Sequence, residues 1–286
     1  MKVVLFCGGL GMRMREGPAS APKPMNMIGD RPLLWHVMRY YAHFGHTDFI
    51  LCLGYGAAAV KDYFVKYDET QSNDFTLSPG GKLAMHSTDI TDWNISFIDT
   101  GLHSTIGERL MRVRTLVEDE EVFLANYADT LTDAPLDRLI DRFRRAPQAV
   151  ASMLAVPPVS THHVVEIADN GEVTGVRAVT ELMQYENGGY FVMRPSIFDE
   201  LREGEDMVPN AFDRLVLQRR LLAHRYEGFW RAADTFKDRA ELEDMFHRGQ
   251  CPWMLWDPQH GGRSPLTVSA LVPQQPAAVA GRALAG

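Results

Sequence analysis

The stretch Leu5-Phe6-Cys7-Gly8-Gly9-Leu10-Gly11-Met12-Arg13, followed by Pro22-Lys23-Pro24, decides how this chain is read. A short apolar strand empties into a glycine-rich turn, and an arginine and a lysine follow close behind. Glycines let backbone N–H groups approach phosphate oxygens, and the two cations neutralise the charge those oxygens carry. The pattern predicts a triphosphate cradle at the carboxyl end of the first strand.

Two other glycine motifs are excluded. Gly9-Leu10-Gly11 opens like a dinucleotide fingerprint, but Met14 stands where the third glycine belongs. The second strand also ends at Gly54-Tyr55, where an acid should meet the ribose. Gly81-Lys82 is not a P-loop, because Thr76 and Leu83 replace its first glycine and its hydroxyl residue.

Working outward, strand-like and helix-like patterns alternate. Lys2 to Cys7 and Asp48 to Gly54 read as buried strands, and Pro32 to Phe44 and Ala57 to Tyr67 as helices. Such β-α-β-α order predicts an α/β fold, a Rossmann-like, mostly parallel sheet flanked by helices with small β excursions. Ser72 to Thr91, centred on Pro79-Gly80-Gly81, reads as a hairpin, and Asn94 to Thr100 as a returning strand. Thr105 to Val117 reads as one helix carrying Arg109, Arg112 and Arg114. Val122 to Ala125 is a strand ending at Asn126-Tyr127-Ala128-Asp129. An acid there lies on the edge where open parallel sheets bind ligands.

Further on, Ala149 to Val156, the pair within Val164 to Val179, and Gly188 to Arg194 read as strands. Ala211 to Leu222 reads as a helix, His224 to Trp230 as a strand and Asp238 to Arg248 as a closing helix. From Asp257 the composition turns to Pro, Gly, Ala and Gln without periodicity. One domain over 1–256 and an unstructured tail over 257–286 are therefore expected.

Over 286 residues, acidic side chains outnumber basic ones 37 to 29, for a net charge of -8. A nonspecific grip on nucleic acid is excluded, whereas a small anion held by a few placed cations is not. Val3 to Cys7 is too short for a signal segment, and no window approaches the ~18 apolar residues of a membrane helix. No membrane partner and a cytoplasmic location are expected. Cys7, Cys52 and Cys251 are too few and too scattered for a disulfide framework or a zinc site, and read as buried, inert thiols. His162-His163 reads as a loop pair.

Beyond the glycine turn, several segments carry a resemblance. They are Lys23-Pro24-Met25 with Ile28-Gly29, Leu34-Trp35-His36, Leu53-Gly54-Tyr55, Val60-Lys61-Asp62-Tyr63-Phe64, and Ile98-Asp99-Thr100-Gly101 with Gly107-Glu108-Arg109-Leu110. Near the end stand Glu227-Gly228-Phe229-Trp230 with Asp234-Thr235, and Pro252-Trp253. Together with G-G-x-G-x-R they resemble the sugar-phosphate nucleotidyltransferases to about Trp256, and most of all their glucose-1-phosphate cytidylyltransferase branch.

The resemblance implies roles. Backbone at Gly8, Gly9 and Gly11, with Gly54, lines the nucleotide, while Arg13 and Lys23 hold the triphosphate and Arg109 also reaches it. Asp129 and Asp234 ligate Mg²⁺, with Arg13, Lys23 and Asp129 as the catalytic set. Glu181, Asn187 and Gly188 face the acceptor. The implied reaction joins the nucleotide of an NTP, CTP above all, to a sugar 1-phosphate with release of pyrophosphate, in a homo-oligomeric enzyme. Residue by residue there are plainer readings: Asp129 and Asp234 as helix caps, and Arg109 on an exposed helix face.

The acceptor half departs from the family. Where the pattern is Glu-Lys-Pro, a linker and Asn-Gly-Gly, this chain has Thr180-Glu181-Leu182 and a shorter linker to Asn187-Gly188-Gly189. Leu182 cannot neutralise a phosphate, and a charge-assisted contact in a buried site is worth about 2–3 kcal/mol. Met12 replaces a hydroxyl residue of the glycine turn, and 161–166 carries bulkier residues than the family's strand entrance. A different phosphorylated acceptor, or binding without turnover, is the alternative. Arg177 and the 162–163 histidines are the cations that sequence offers in place of the lysine.

Overall fold

The computed structural model describes residues 1–8, 22–159, 163–182 and 184–257. Gly9, Gly11, Arg13, His162 and the 258–286 tail lie outside the described residues. Those described fall into a main body from 1–65 and 93–257 and a small separate unit, 66–92. The small unit carries the expected hairpin, Phe75–Ser78 paired antiparallel with Lys82–Met85.

The main body is built on a seven-stranded sheet. Its strands are β1 (Lys2–Phe6), β2 (Asp48–Leu53), β3 (Asn94–Asp99), β4 (Phe123–Asn126), β5 (Ala151–Val156), β6 (Glu186–Met193) and β7 (Leu221–Arg225). They lie in the order β7-β5-β6-β4-β1-β2-β3. All neighbours are parallel except those of β6, which runs antiparallel to both β4 and β5. The mostly parallel α/β sheet expected from the chain's alternating pattern is therefore present.

Val3, Val4 and Leu5 of β1 and Leu51, Cys52 and Leu53 of β2 are fully buried. Unbroken apolar runs suit strands covered by helices on both faces. Helix α1 (Leu33–His43) lays Tyr40 and Tyr41 against Tyr190 of β6. The opposite face packs Val4, Phe6, Cys52 and Phe123 against Leu110, Val113, Phe198 and Phe212. Helix α2 (Ala57–Val65) follows β2, as expected. Among the described residues no helix is long and apolar enough to cross a membrane.

Three expected elements are corrected. The helix over Thr105 to Val117 breaks into α3 (Ile106–Arg112) and a single turn, Arg114–Val117. Val113, at φ -104° and ψ 8°, turns its N–H to Leu110 and Met111 instead of continuing the ladder. The helix expected to run to Leu222 ends at Leu217. Arg219 takes φ 58°, and Arg219 N–H and Arg220 N–H return to the carbonyls of Val216 and Leu215, closing a Schellman cap without glycine. The strand expected over His224 to Trp230 is two strands, β7 and Trp230–Ala232. Between them the chain turns because Asp133 Oδ1 accepts both the Tyr226 hydroxyl and, at 2.8 Å, the Phe229 N–H.

Candidate functional site

β1, β2 and β4 all end on one edge of the sheet, and Gly8, Gly54 and Asp129 follow them there. After β4 the chain makes a tight turn in which Asn126 Oδ1 accepts the Ala128 N–H at 2.6 Å. Ala128, fully buried, is forced to φ 62°, a left-handed conformation that costs a non-glycine residue of order 1 kcal/mol. The next residue, Asp129, leaves this turn with its carboxylate in the site. Strand Thr130–Thr132 then pairs antiparallel with Trp230–Ala232, with Thr130 opposite Ala232. The ladder's last bond runs from Ala233 N–H to Asp129 O at 2.9 Å. Its register therefore sets Asp234 beside Asp129.

Lys23 arrives from a third direction, on the one-turn helix Lys23–Met25 that Pro22 begins. Pro22 is seated on Gly56, whose φ of 71° and missing Cβ leave room for the ring. Lys23 Nζ donates to Asp129 Oδ2 at 2.6 Å and to Asp234 Oδ1. Burial alone would lower the Lys23 pKa, but the attraction of Asp129 and bonds to both carboxylates raise it above its ordinary value. Burial, with a smaller push from Asp234, raises Asp129 against the pull of Lys23.

Neither acid caps a helix. The residue before Leu136–Arg144 is Pro135, and the cap of α4 (Phe236–His247) is Thr235, in a capping box with Asp238. Two carboxylates around one ammonium leave a net negative charge. Such a donor set suits a hard divalent cation that keeps waters and phosphate oxygens as its other ligands. Among the described residues no cluster of three or more His, Cys, Asp or Glu side chains is placed to hold a metal.

Arg109 is not on an exposed face: it is 1 % exposed. Its guanidinium donates to Thr100 Oγ1 at 2.8 Å, Leu53 O at 3.2 Å and Leu102 O at 3.4 Å. It lies directly under Gly8, where a Cβ would stand 2.0 Å from Nη1. A Cβ at Gly54 would meet the same Nη1 at 3.1 Å. Gly8, Gly54 and Arg109 thus form one contact set, with the charge directly beneath the start of the glycine turn.

Asn187 Nδ2 donates to the Tyr127 hydroxyl at 3.0 Å, and Gly188 O accepts the Trp230 indole N–H at 2.8 Å. Both therefore adjoin the segments that lead into Asp129 and Asp234. Glu181 ends the turn Val179–Glu181, exposed, and no hydrogen bond ties it to that cluster among the described residues. Asn126, Tyr127, Ala128 and Trp230 were quoted within sequence segments but given no site role there. The Asn-Tyr-Ala-Asp run around Asp129 hinted at the first three, and the Glu227-Gly228-Phe229-Trp230 segment at the last.

The three cysteines are buried, and burial raises all three thiols, Cys52 to about 12 and Cys251 to about 11. Little thiolate is available at neutral pH, which suits the unreactive role expected of them.

No family model matches the chain. It is 34% identical over 262 residues to the glucose-1-phosphate cytidylyltransferase of Salmonella typhi, covering 90% of this chain and 100% of that protein. The same figures hold for the Salmonella typhimurium protein of that name. In fold it is similar to UDP-glucose pyrophosphorylase from Acinetobacter baumannii, with a TM-score of 0.60 at 20% identity, over 85% of this chain and 91% of that one. Identity along its whole matched length, on the sheet and edge just described, makes this chain a member of the sugar-phosphate nucleotidyltransferase family, beside the glucose-1-phosphate cytidylyltransferases.

Proposed function

We propose that this protein transfers a nucleoside monophosphate from CTP to a sugar 1-phosphate, glucose 1-phosphate or a related hexose 1-phosphate, releasing pyrophosphate. The observation that carries the reading is the convergence of Asp129, Asp234 and Lys23 at the carboxyl edge of the sheet. The names of the Salmonella relatives support cytidine and glucose 1-phosphate.

In this reading an oxygen of the acceptor phosphate attacks the α-phosphorus of the triphosphate. The new P–O bond forms as the bond to the pyrophosphate oxygen breaks, and the electron pair leaves with pyrophosphate. No side chain becomes covalently attached, so alignment and charge neutralisation supply the catalysis. Lys23, with Arg13, balances charge on the triphosphate and on the departing pyrophosphate. Gly8, Gly9, Gly11 and Gly54 give the nucleotide a close approach to backbone, and Arg109 places positive charge behind it. Asp129 and Asp234 would hold Mg²⁺, which when bound neutralises phosphate oxygens and fixes the in-line geometry. Asn187, Gly188 and Glu181 receive the acceptor. The enzyme is taken as a cytoplasmic homo-oligomer whose catalytic domain spans 1–256.

Leu182 favours a second reading, the same transfer to a different phosphorylated acceptor. One assay separates the two: protein, Mg²⁺, each NTP and dTTP, and a panel of sugar 1-phosphates, followed by pyrophosphate release. Turnover with CTP and glucose 1-phosphate supports the first reading, and turnover only with another acceptor supports the second. Tight CTP binding without turnover on any acceptor overturns both.

A further inference from the structure

Leu182 removes a cation from the acceptor half, and neither Arg177 nor His163, the described replacements legible in sequence, is placed there. Arg177 Nη2 is engaged by Glu166 Oε1 at 3.1 Å, on a two-stranded ribbon (His163–Ile167 with Val173–Ala178) that stands mostly in solvent. His163 is exposed on that ribbon.

A pocket of about 710 Å³ opens beside the Leu182 stretch, lined by Val156, Val159, Thr180, Gly228, Trp230 and Arg231 among others. That volume falls in the range of small-ligand sites. Its wall is fastened to the acceptor turn, since the Trp230 indole N–H bonds Gly188 O and a Cβ on Gly188 would stand 3.3 Å from that nitrogen. Arg231 lies on the strand that ends beside Asp234, so its Cα is within ~10 Å of that carboxylate's backbone at the rise of an extended chain.

The charges of the pocket single out one residue. Asp238 caps α4 with Thr235, Glu241 pairs with Lys237 at 3.8 Å, and Glu227 accepts the Tyr185 hydroxyl at 3.3 Å, so these acids are engaged elsewhere than at Arg231. Arg231 has no carboxylate partner among the described residues. It donates only Nη1–H, to Trp230 O at 2.8 Å, and lies 5.7 Å over the Phe229 ring, which holds the side chain without neutralising it. A guanidinium so held keeps further N–H groups for a planar pair of anionic oxygens.

We propose that Arg231 binds an anionic group of the acceptor in this pocket, taking over the charge that Leu182 cannot provide. The inference rests on the acceptor half of the reading above. The ligand class is a phosphorylated sugar, and the anion is either its 1-phosphate or a second acidic group elsewhere on the sugar.

The test is calorimetric titration of glucose 1-phosphate and of glucose 1,6-bisphosphate into the protein saturated with a non-hydrolysable CTP analogue. It uses wild type, Arg231→Gln, Arg231→Lys, Arg177→Gln, and Arg231→Gln combined with Leu182→Lys. Arg231→Gln weakens sugar phosphate at least tenfold while CTP-analogue affinity stays within twofold. Arg231→Lys keeps part of the affinity, Arg177→Gln all of it, and the added lysine restores glucose 1-phosphate. Equal losses for both probes assign the 1-phosphate, and loss confined to the bisphosphate assigns the second group. Unchanged binding in Arg231→Gln, the same loss in Arg177→Gln, or no binding of either probe to wild type overturns the proposal. Arg231-dependent binding with no pyrophosphate release from wild type instead removes the transferase reading and leaves this site standing.

Discussion

Lys23 Nζ stands 2.6 Å from Asp129 Oδ2, across 106 residues of sequence, and bonds Asp234 as well. One ammonium therefore occupies the space between two acids brought from opposite halves of the chain. In the proposed reaction the two carboxylates would hold a divalent cation and Lys23 would neutralise phosphate.

Asp129→Asn and Asp234→Asn each keep the side-chain shape and remove one charge of that pair. Pyrophosphate release falls at least a hundredfold in either variant, in line with the loss of a single transition-state charge contact. The thermal midpoint stays within a few degrees, because Asp129 and Asp234 both remain partly open to solvent. Activity within fivefold of wild type in Asp129→Asn removes that residue from the site.

Lys23→Met leaves the two acids facing each other without a counter-charge. The protein loses about 1–2 kcal/mol, less than for a fully buried pair since the lysine side chain is 18% exposed. Millimolar Mg²⁺ then raises the melting temperature of the variant more than that of wild type. An equal Mg²⁺ response in both proteins argues that the carboxylates do not hold the ion.

Gly8→Ala would set a methyl 2.0 Å from Arg109 Nη1. Arg109 is enclosed and bonded to Leu53, Thr100 and Leu102, so it cannot step aside cheaply. A cost of about 1–3 kcal/mol and at least a tenfold loss of nucleotide affinity are expected. Urea unfolding and nucleotide titration check the two effects separately.

His36 gives the pH dependence a sign. Burial lowers its pKa from 6.5 to about 4. Nε2 faces Ile28 O at 3.0 Å and Nδ1 receives the Trp253 indole N–H at 3.4 Å, partners that suit the neutral ring. The unfolded chain takes a proton below pH 6.5 while the folded ring refuses it until about pH 4, so stability falls as pH drops through that window. About 3 kcal/mol is at stake for His36, and none above pH 7. His46, also lowered to about 4 chiefly by burial, adds in the same direction. Urea midpoints between pH 7.5 and 4.5 should fall less steeply in His36→Gln, and an unchanged slope contradicts the assignment.

The first half of the fold was legible because its signals are local. β1, α1, β2 and α2 each show in one window of sequence, and so does the turn at Pro79-Gly80-Gly81. The helix ending at Leu217 was not, since its cap uses Arg219 in a conformation that sequence associates with glycine. The turn between β7 and Trp230 was hidden for another reason: Asp133, 93 residues before Tyr226, closes it. A contact at that separation leaves no mark on either segment.

Alternating apolar patterns were sufficient for a mostly parallel sheet with Gly8 at the end of its first strand. Folding alone chose which charges meet. The register of Thr130–Thr132 on Trp230–Ala232 brings Asp129 and Asp234 together, and burial converts Arg109 from a surface charge into the support beneath Gly8. Both depend on backbone pairing and packing between distant segments; in the strand pair a shift of one residue would turn every side chain to the opposite face.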